Sequence, residues 1–197
     1  MITMNTKNLL LLASLTLAMP LTAQTPQEDF KRDITLSGSN YVAYRGPQKQ
    51  LTAAPKGYKP FYLSHYGRHG SRYMIGKKAY DVPYFSLLKA KQEGKLTAKG
   101  EETLAKVKMI REEAKGRDGE LTPLGALQHQ GITRRMMERF PEIFAGNTNI
   151  EARSTLVIRC ILSMENGLQQ MLRMNPKLHI FHDVSEHDMY YMNQDDR

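Results

Sequence analysis

The chain has 197 residues, with 28 Lys and Arg against 20 Asp and Glu, a single Cys and no Trp. That length holds one ordinary domain with an arm and excludes a large multidomain assembly. One cysteine excludes an intrachain disulfide framework and any multi-cysteine zinc or iron–sulfur site, while the net charge of +8 points to an acidic partner without identifying it.

In chain order, residues 1–23 read as an export signal. Lys7 gives a basic head, and residues 9–19 form an apolar run of signal-peptide length that is short for a bilayer span. Leu21-Thr22-Ala23 fits a small-residue cleavage site. No later stretch is long and apolar enough to cross a membrane. The chain is therefore expected to be exported, periplasmic or secreted, and free of the membrane once the signal is removed.

Residues 24–59 are polar and turn-rich and read as an irregular arm; residues 60–197 are expected to form the domain proper. Residues 61–66, rich in aromatics, read as a buried strand that Gly67 and Gly70 break. Helices are expected over 80–92 and over 97–115, the second capped by Thr97 and carrying Leu104, Val107 and Ile110 at helical spacing. A turn follows at 116–119. Thr122-Pro123 opens another helix, with Leu124, Gln128, Ile132, Met136 and Phe140 every fourth residue. A strand is expected over 149–153, then a helix capped by Ser154-Thr155, striped with Val157, Ile161, Met164, Leu168, Met171 and Leu172. A third strand is expected over 177–181. Strands alternating with helices argue for an α/β sandwich with a mostly parallel sheet. Ligands in such folds bind beyond the carboxyl ends of strands, here residues 67–72 and 154–159.

The charge is uneven. Residues 45–117 hold 17 Lys and Arg against 6 Asp and Glu, a segment that encloses the most informative motif. Nucleic acid is a poor match, because the basic residues are not interleaved with stacking aromatics and no nucleic-acid signature is present.

That motif is Ser64-His65-Tyr66-Gly67-Arg68-His69-Gly70-Ser71-Arg72-Tyr73. His69 follows the expected strand between close glycines, so the backbone can turn tightly there and approach a ligand. Arg68 and Arg72 flank it with guanidinium forks that match phosphate oxygens. A neutral imidazole is a competent nucleophile towards phosphorus, and neighbouring arginines disfavour the imidazolium. A generic anion-binding loop with a structural histidine is the alternative. His65 and His69 also have the four-residue spacing of helical metal ligands, but they straddle the break.

Arg68-His69-Gly70-Ser71-Arg72 after an aromatic segment resembles the signature of the histidine phosphatase superfamily, in its acid phosphatase and phytase branch. Leu121-Thr122-Pro123-Leu124-Gly125 with Gln128 is similar to that branch's helix opening. Ser154-Thr155, Arg159-Cys160 and Ser163-Met164 resemble the segment that supplies a further phosphate-binding arginine. His-Tyr-Gly-Arg-His-Gly and Arg-Cys look closest to the multiple inositol polyphosphate phosphatases, including secreted bacterial members. The resemblance runs from about Phe61 to Leu172.

The resemblance implies a three-layer sandwich, a phosphohistidine at His69, and phosphate clamped by Arg68, Arg72 and Arg159. Arg153 is the competing candidate for the third arginine. The implied partner is a small polyanionic phosphate ester such as an inositol polyphosphate, with no metal or organic cofactor, since the arginines supply the positive charge. The family's general acid comes from a His-Asp or His-Ala-Glu motif far downstream in a longer chain. No His-Ala-Glu occurs here, and His182-Asp183 and His187-Asp188 come too soon after Arg159. The acid is therefore expected to lie outside this sequence, which reads as the amino-terminal part of a longer catalytic unit. The alternative expectation is an impaired chain that binds phosphate or phytate without turnover.

Overall fold

The computed structural model describes residues 25–44, 46–47, 49 and 52–192. The expected export signal over residues 1–23 lies outside the described residues. The chain divides into two units, Met1–Tyr44 and Arg45–Arg197.

In the first unit α1 spans Pro26–Arg32, followed by a 3₁₀ helix over Ile34–Tyr41. This stretch, expected to be irregular, carries a helix because Thr25 and Glu28 form a capping box. The Thr25 side chain accepts from the Glu28 amide, and the Glu28 carboxylate accepts from the Thr25 amide at 3.1 Å. Pro26 sits at the first helical position, where its missing N–H costs nothing.

The second unit runs α2 (Lys78–Gln92), α3 (Ala98–Glu113), α4 (Pro123–Arg139), β1 (Asn149–Ser154), α5 (Ile158–Met174), β2 (His179–Val184) and α6 (Met189–Met192). Helices α2 and α3 pack as a hairpin. Arg111 joins them: its Nε donates to Asp81 at 2.6 Å, and its guanidinium lies 5.0 Å and 5.3 Å from the Tyr84 and Phe85 ring centres. Thr97 caps α3 as the sequence predicts, accepting from the Gly100 amide at 3.2 Å. Many lysines of the basic segment lie on this hairpin, where Lys91, Lys95, Lys99 and Lys106 pair with Glu101, Glu93 and Glu102.

Helix α4 packs against α5. Strands β1 and β2 pair in parallel, with Asn149 opposite His179 and Ser154 opposite Val184. Met137, Phe144 and Leu178 form the buried core beneath them, joined by Leu63, Phe140, Ile150 and Met171. Each such side chain contributes about 1.5–3 kcal/mol when fully buried. The expected α4 stripe holds at Met136 and Phe140, which pack against this core, but not along its whole length. Thr133 and Met137 face inward, whereas Leu124 is 50% exposed.

Two further expectations are corrected. Residues 61–66 form no strand, and Phe61 is 95% exposed. Their aromatic composition suits a pleated surface, but a strand exists only with a paired neighbour. Among the described residues, the sheet has two strands, and these residues line a cleft together with β1. Ser154 and Thr155 do not cap α5; its first helical residue is preceded by Val157, which makes no side-chain cap. Among the described residues, no helix is long and apolar enough to cross a membrane.

Candidate functional site

The segment from Arg68 to Tyr73 is irregular, yet Gly70, Ser71 and Tyr73 each have both their backbone N–H and their carbonyl hydrogen-bonded. The anchor is the first turn of α4. Thr122 caps that helix by accepting from the Gly125 amide at 3.1 Å, and the same hydroxyl donates to the Ser71 carbonyl at 2.8 Å. The Thr122 amide donates to that carbonyl as well, at 2.9 Å. Gln128, one turn further on, accepts from the Ser71 amide at 2.8 Å. Tyr73 then donates its amide to Glu120 at 2.9 Å, and Arg72 and Leu121 form an isolated antiparallel bridge. The Tyr73 ring is buried; its hydroxyl donates to Glu113 at 3.1 Å and accepts from Arg117 at 3.0 Å.

Two glycines make this contact possible. A Cβ on Gly70 would sit 2.6 Å from the Gly125 Cα, and a Cβ on Gly125 would sit 2.9 Å from the Ser71 nitrogen. Backbone meets backbone at both, so no side chain can rotate away. Gly125 and Gln128 are the residues the family resemblance singles out; the structure shows that they hold the loop.

From the other side, α5 reaches the loop through Ser163. Its hydroxyl accepts from the Gly70 amide at 3.0 Å and donates to the Arg159 carbonyl at 2.7 Å. His129 on α4 donates from Nε2 to the Arg68 carbonyl at 3.1 Å. The motif around Arg159 includes Ser163 without pointing to this bond, and no motif includes His129, since both bonds depend on a loop far away in sequence. Ser163 could have been suspected as a polar residue inside the apolar stripe of α5.

At the centre, His69 Nδ1 lies 2.8 Å from the Gly70 carbonyl. A carbonyl accepts only, so Nδ1 carries the proton and Nε2 keeps its lone pair. Burial holds this imidazole below the ordinary histidine range. The Gly70 carbonyl opposes that shift, whereas the positive charges of Arg159, Arg68 and Arg72 reinforce it. All three predicted arginines thus bear electrostatically on His69, but of the three only Arg68 and Arg159 line the same cleft as His69, while Arg72 donates from Nη1 to the Tyr73 carbonyl at 2.9 Å. Arg153 also lines this region but is engaged by the protein itself, with Asp188 at 3.4 Å and the Tyr191 hydroxyl at 3.3 Å. The Nε atoms of Arg72 and Arg159 are buried and have no hydrogen-bond partner among the described residues. Burial also lowers His129; the Arg68 carbonyl opposes this, and His65 and His69 add to it.

These groups open on a cleft of about 800 Å³ lined by Arg68, His69, His129, Arg153 and Arg159. No lysine lines it, so the positive charge at the site is local arginine and not the lysine-rich segment. Among the residues lining it, Glu151 is the one carboxylate. His182 pairs through Nδ1 with Glu165 at 2.7 Å, and His187 lies 3.4 Å from Asp188. Among the described residues, no group of three His, Cys, Asp or Glu is placed to hold a metal ion.

No protein-family model matches the sequence, and no curated protein does. Solved structures do. The chain is similar to the multiple inositol polyphosphate phosphatase of Bifidobacterium longum. The structure of that protein with phosphate matches at 28% identity and a TM-score of 0.54, over 68% of this chain and 29% of the other. The structure of the same protein with inositol hexasulfate matches at 26% identity and a TM-score of 0.50, with the same coverage. The present chain thus spans under a third of the length of the protein it matches.

Proposed function

We propose that this chain carries the nucleophile and the phosphate clamp of a phosphomonoesterase acting on inositol polyphosphates through a phosphohistidine. The observation that carries the reading is that Arg68 and Arg159 line one cleft with a half-buried His69 whose Nδ1–H is tied to a carbonyl. The phosphatase neighbour, solved with phosphate and with inositol hexasulfate, supports the class of ligand. A histidine-phosphatase-like three-layer sandwich is the architecture proposed for the complete unit.

The chemistry follows from the site. His69 Nε2 attacks phosphorus, forming the N–P bond as the P–O bond to the leaving alkoxide breaks. Positive charge then develops on the ring, and the Gly70 carbonyl stabilises it through Nδ1–H. The guanidinium groups stabilise the negative charge on the equatorial oxygens of the transferring phosphoryl group. The buried Nε–H group of Arg159, a residue of the cleft, fits such a role, since the protein itself leaves it unpartnered. Arg159 is the second residue of α5, where the helix terminus also favours an anion. Water then attacks phosphorus, the N–P bond breaks and phosphate leaves. The alkoxide needs a proton from an acid that none of the His-Asp pairs supplies, as none lines the cleft.

That last feature favours a second reading, binding of a phosphate ester without turnover. Phosphate release from inositol hexakisphosphate, compared between the wild type, His69→Ala and Arg159→Ala, separates the two. Turnover abolished by His69→Ala supports the first reading. Binding of inositol hexakisphosphate without turnover supports the second. Absence of binding refutes both.

A further inference from the structure

We propose that Ser163 is a positioning residue that locks Arg159 to the His69 loop through its hydroxyl. The inference rests on the reading of the cleft as a phosphate site and names the part that sets the clamp's geometry.

A serine hydroxyl has one proton to donate and lone pairs to accept with. Here the directions are forced. The Gly70 amide can only donate, at 3.0 Å, and the Arg159 carbonyl can only accept, at 2.7 Å. The hydroxyl therefore relays a hydrogen bond from the residue after His69 to the backbone of Arg159. Gly70 and Arg159 are 89 residues apart in sequence. A bond from serine to the carbonyl four residues back is an ordinary helix feature. The bond from the Gly70 amide is not, and it is the one that reaches the site. Ser163 is 2% exposed and Gly70 is also buried, so water does not compete for either group. Behind Gly70 lies the backbone of Gly125, which prevents the loop from retreating to find another acceptor.

Without the hydroxyl, the Gly70 amide is left buried and unpaired. The loop and the first turn of α5 then relax independently. Arg159 no longer sits at a fixed place relative to His69, although its charge is unchanged. Ser163→Ala should thus resemble Arg159→Ala at the site while leaving the guanidinium in the protein.

The test is a double-mutant cycle read in two ways. The first is the titration of the His69 ring by NMR, which needs no ligand. Arg159→Ala and Ser163→Ala should each raise its midpoint, and the double variant should raise it no further than the larger single change. The second is affinity for inorganic phosphate by calorimetry. Arg159→Ala should weaken binding about 10–100-fold in the wild type, as for loss of a charge-assisted hydrogen bond, but less than about 3-fold in the Ser163→Ala background. Ser163→Thr, which restores the hydroxyl, should restore the larger effect. Additive changes in His69 titration would overturn the proposal. If the wild type binds no phosphate but the titrations remain coupled, the phosphate reading fails and the positioning role stands. If Ser163→Ala does not fold, hydrogen exchange at the Gly70 amide of the wild type decides. Strong protection supports the bond, and exchange as fast as in an open loop overturns it.

Discussion

Gly125→Ala is the most informative small perturbation. In an unobstructed helix this change stabilises by about 0.5–1 kcal/mol, because alanine loses less backbone entropy on folding. At position 125 the new Cβ would lie 2.9 Å from the Ser71 nitrogen and against the Ser71 carbonyl, where ordinary contact needs about 3.5 Å. The loop must therefore move by about half an ångström or more. That movement strains the bonds from Thr122 and Gln128 to Ser71 and carries His69 with it. Overpacking of this kind costs about 1–3 kcal/mol, which lowers Tm by about 2–4 °C per kcal/mol for a chain of this size. A shift near 1 Å at the nucleophile costs up to about 100-fold in rate. The assay is thermal unfolding together with single-turnover phosphate-ester cleavage. Gly131→Ala in the same helix is the control, since its Cβ would meet only the terminal nitrogen of Arg135, at 3.2 Å. That variant should be neutral or stabilised, with unchanged rate. A Gly125→Ala protein as stable and as fast as the wild type would refute the view that backbone contact with α4 sets the loop.

Further outcomes follow from the same geometry. His69 is held below the ordinary histidine range, so its attacking form persists to lower pH. The acid limb of phosphoenzyme formation should fall below about pH 6.5, and Arg159→Ala should move it upward by removing one opposing charge. A limb at or above that pH in the wild type speaks against the assignment. The same lowered value means that the unfolded chain binds more protons between the folded and unfolded pKa. Stability should therefore fall as the pH drops through that window, as urea midpoints would report. His129→Ala removes the donor to the Arg68 carbonyl and should slow cleavage about 2–10-fold, the net worth of one hydrogen bond. His129→Gln, which keeps a donor, should recover part of it, and equal rates for the two variants would count against that role. Met137→Ala should destabilise by about 2–5 kcal/mol in chemical denaturation, since Met137 belongs to the buried core with Phe144 and Leu178.

What the sequence made legible was mostly local. Thr97 and Thr122 cap their helices because hydroxyl and amide lie three residues apart, a relation fixed before any tertiary contact forms. Parallel pairing of β1 and β2 follows from the intervening helix α5. The strand expected over residues 61–66 fails because aromatic content specifies a surface to be covered but not the neighbour that covers it. The α5 cap fails similarly: Ser154 lies at the end of β1, and its hydroxyl donates to the Thr155 carbonyl at 3.0 Å instead of capping the helix. His69, Arg68, Arg72 and Arg159 were recognisable from motifs, and the structure places His69, Arg68 and Arg159 on one cleft, with Arg72 bonded to the Tyr73 carbonyl. The groups that hold them, Ser163 and His129, act across 93 and 61 residues. No spacing rule reaches that far. The basic segment is a different case, since charge counted along the chain need not surround a site in space. Lysines of that segment pair with glutamates along α2 and α3, whereas arginines alone supply the cations of the cleft.

The central claim is that His69 takes the phosphoryl group. Mixing the folded protein with a radiolabelled phosphate ester, quenching in alkaline detergent and mapping the label tests it directly. The account predicts an alkali-stable, acid-labile phosphohistidine at His69 that is absent in His69→Ala. Binding of the ester with no label on His69, or label that survives His69→Ala, would contradict it.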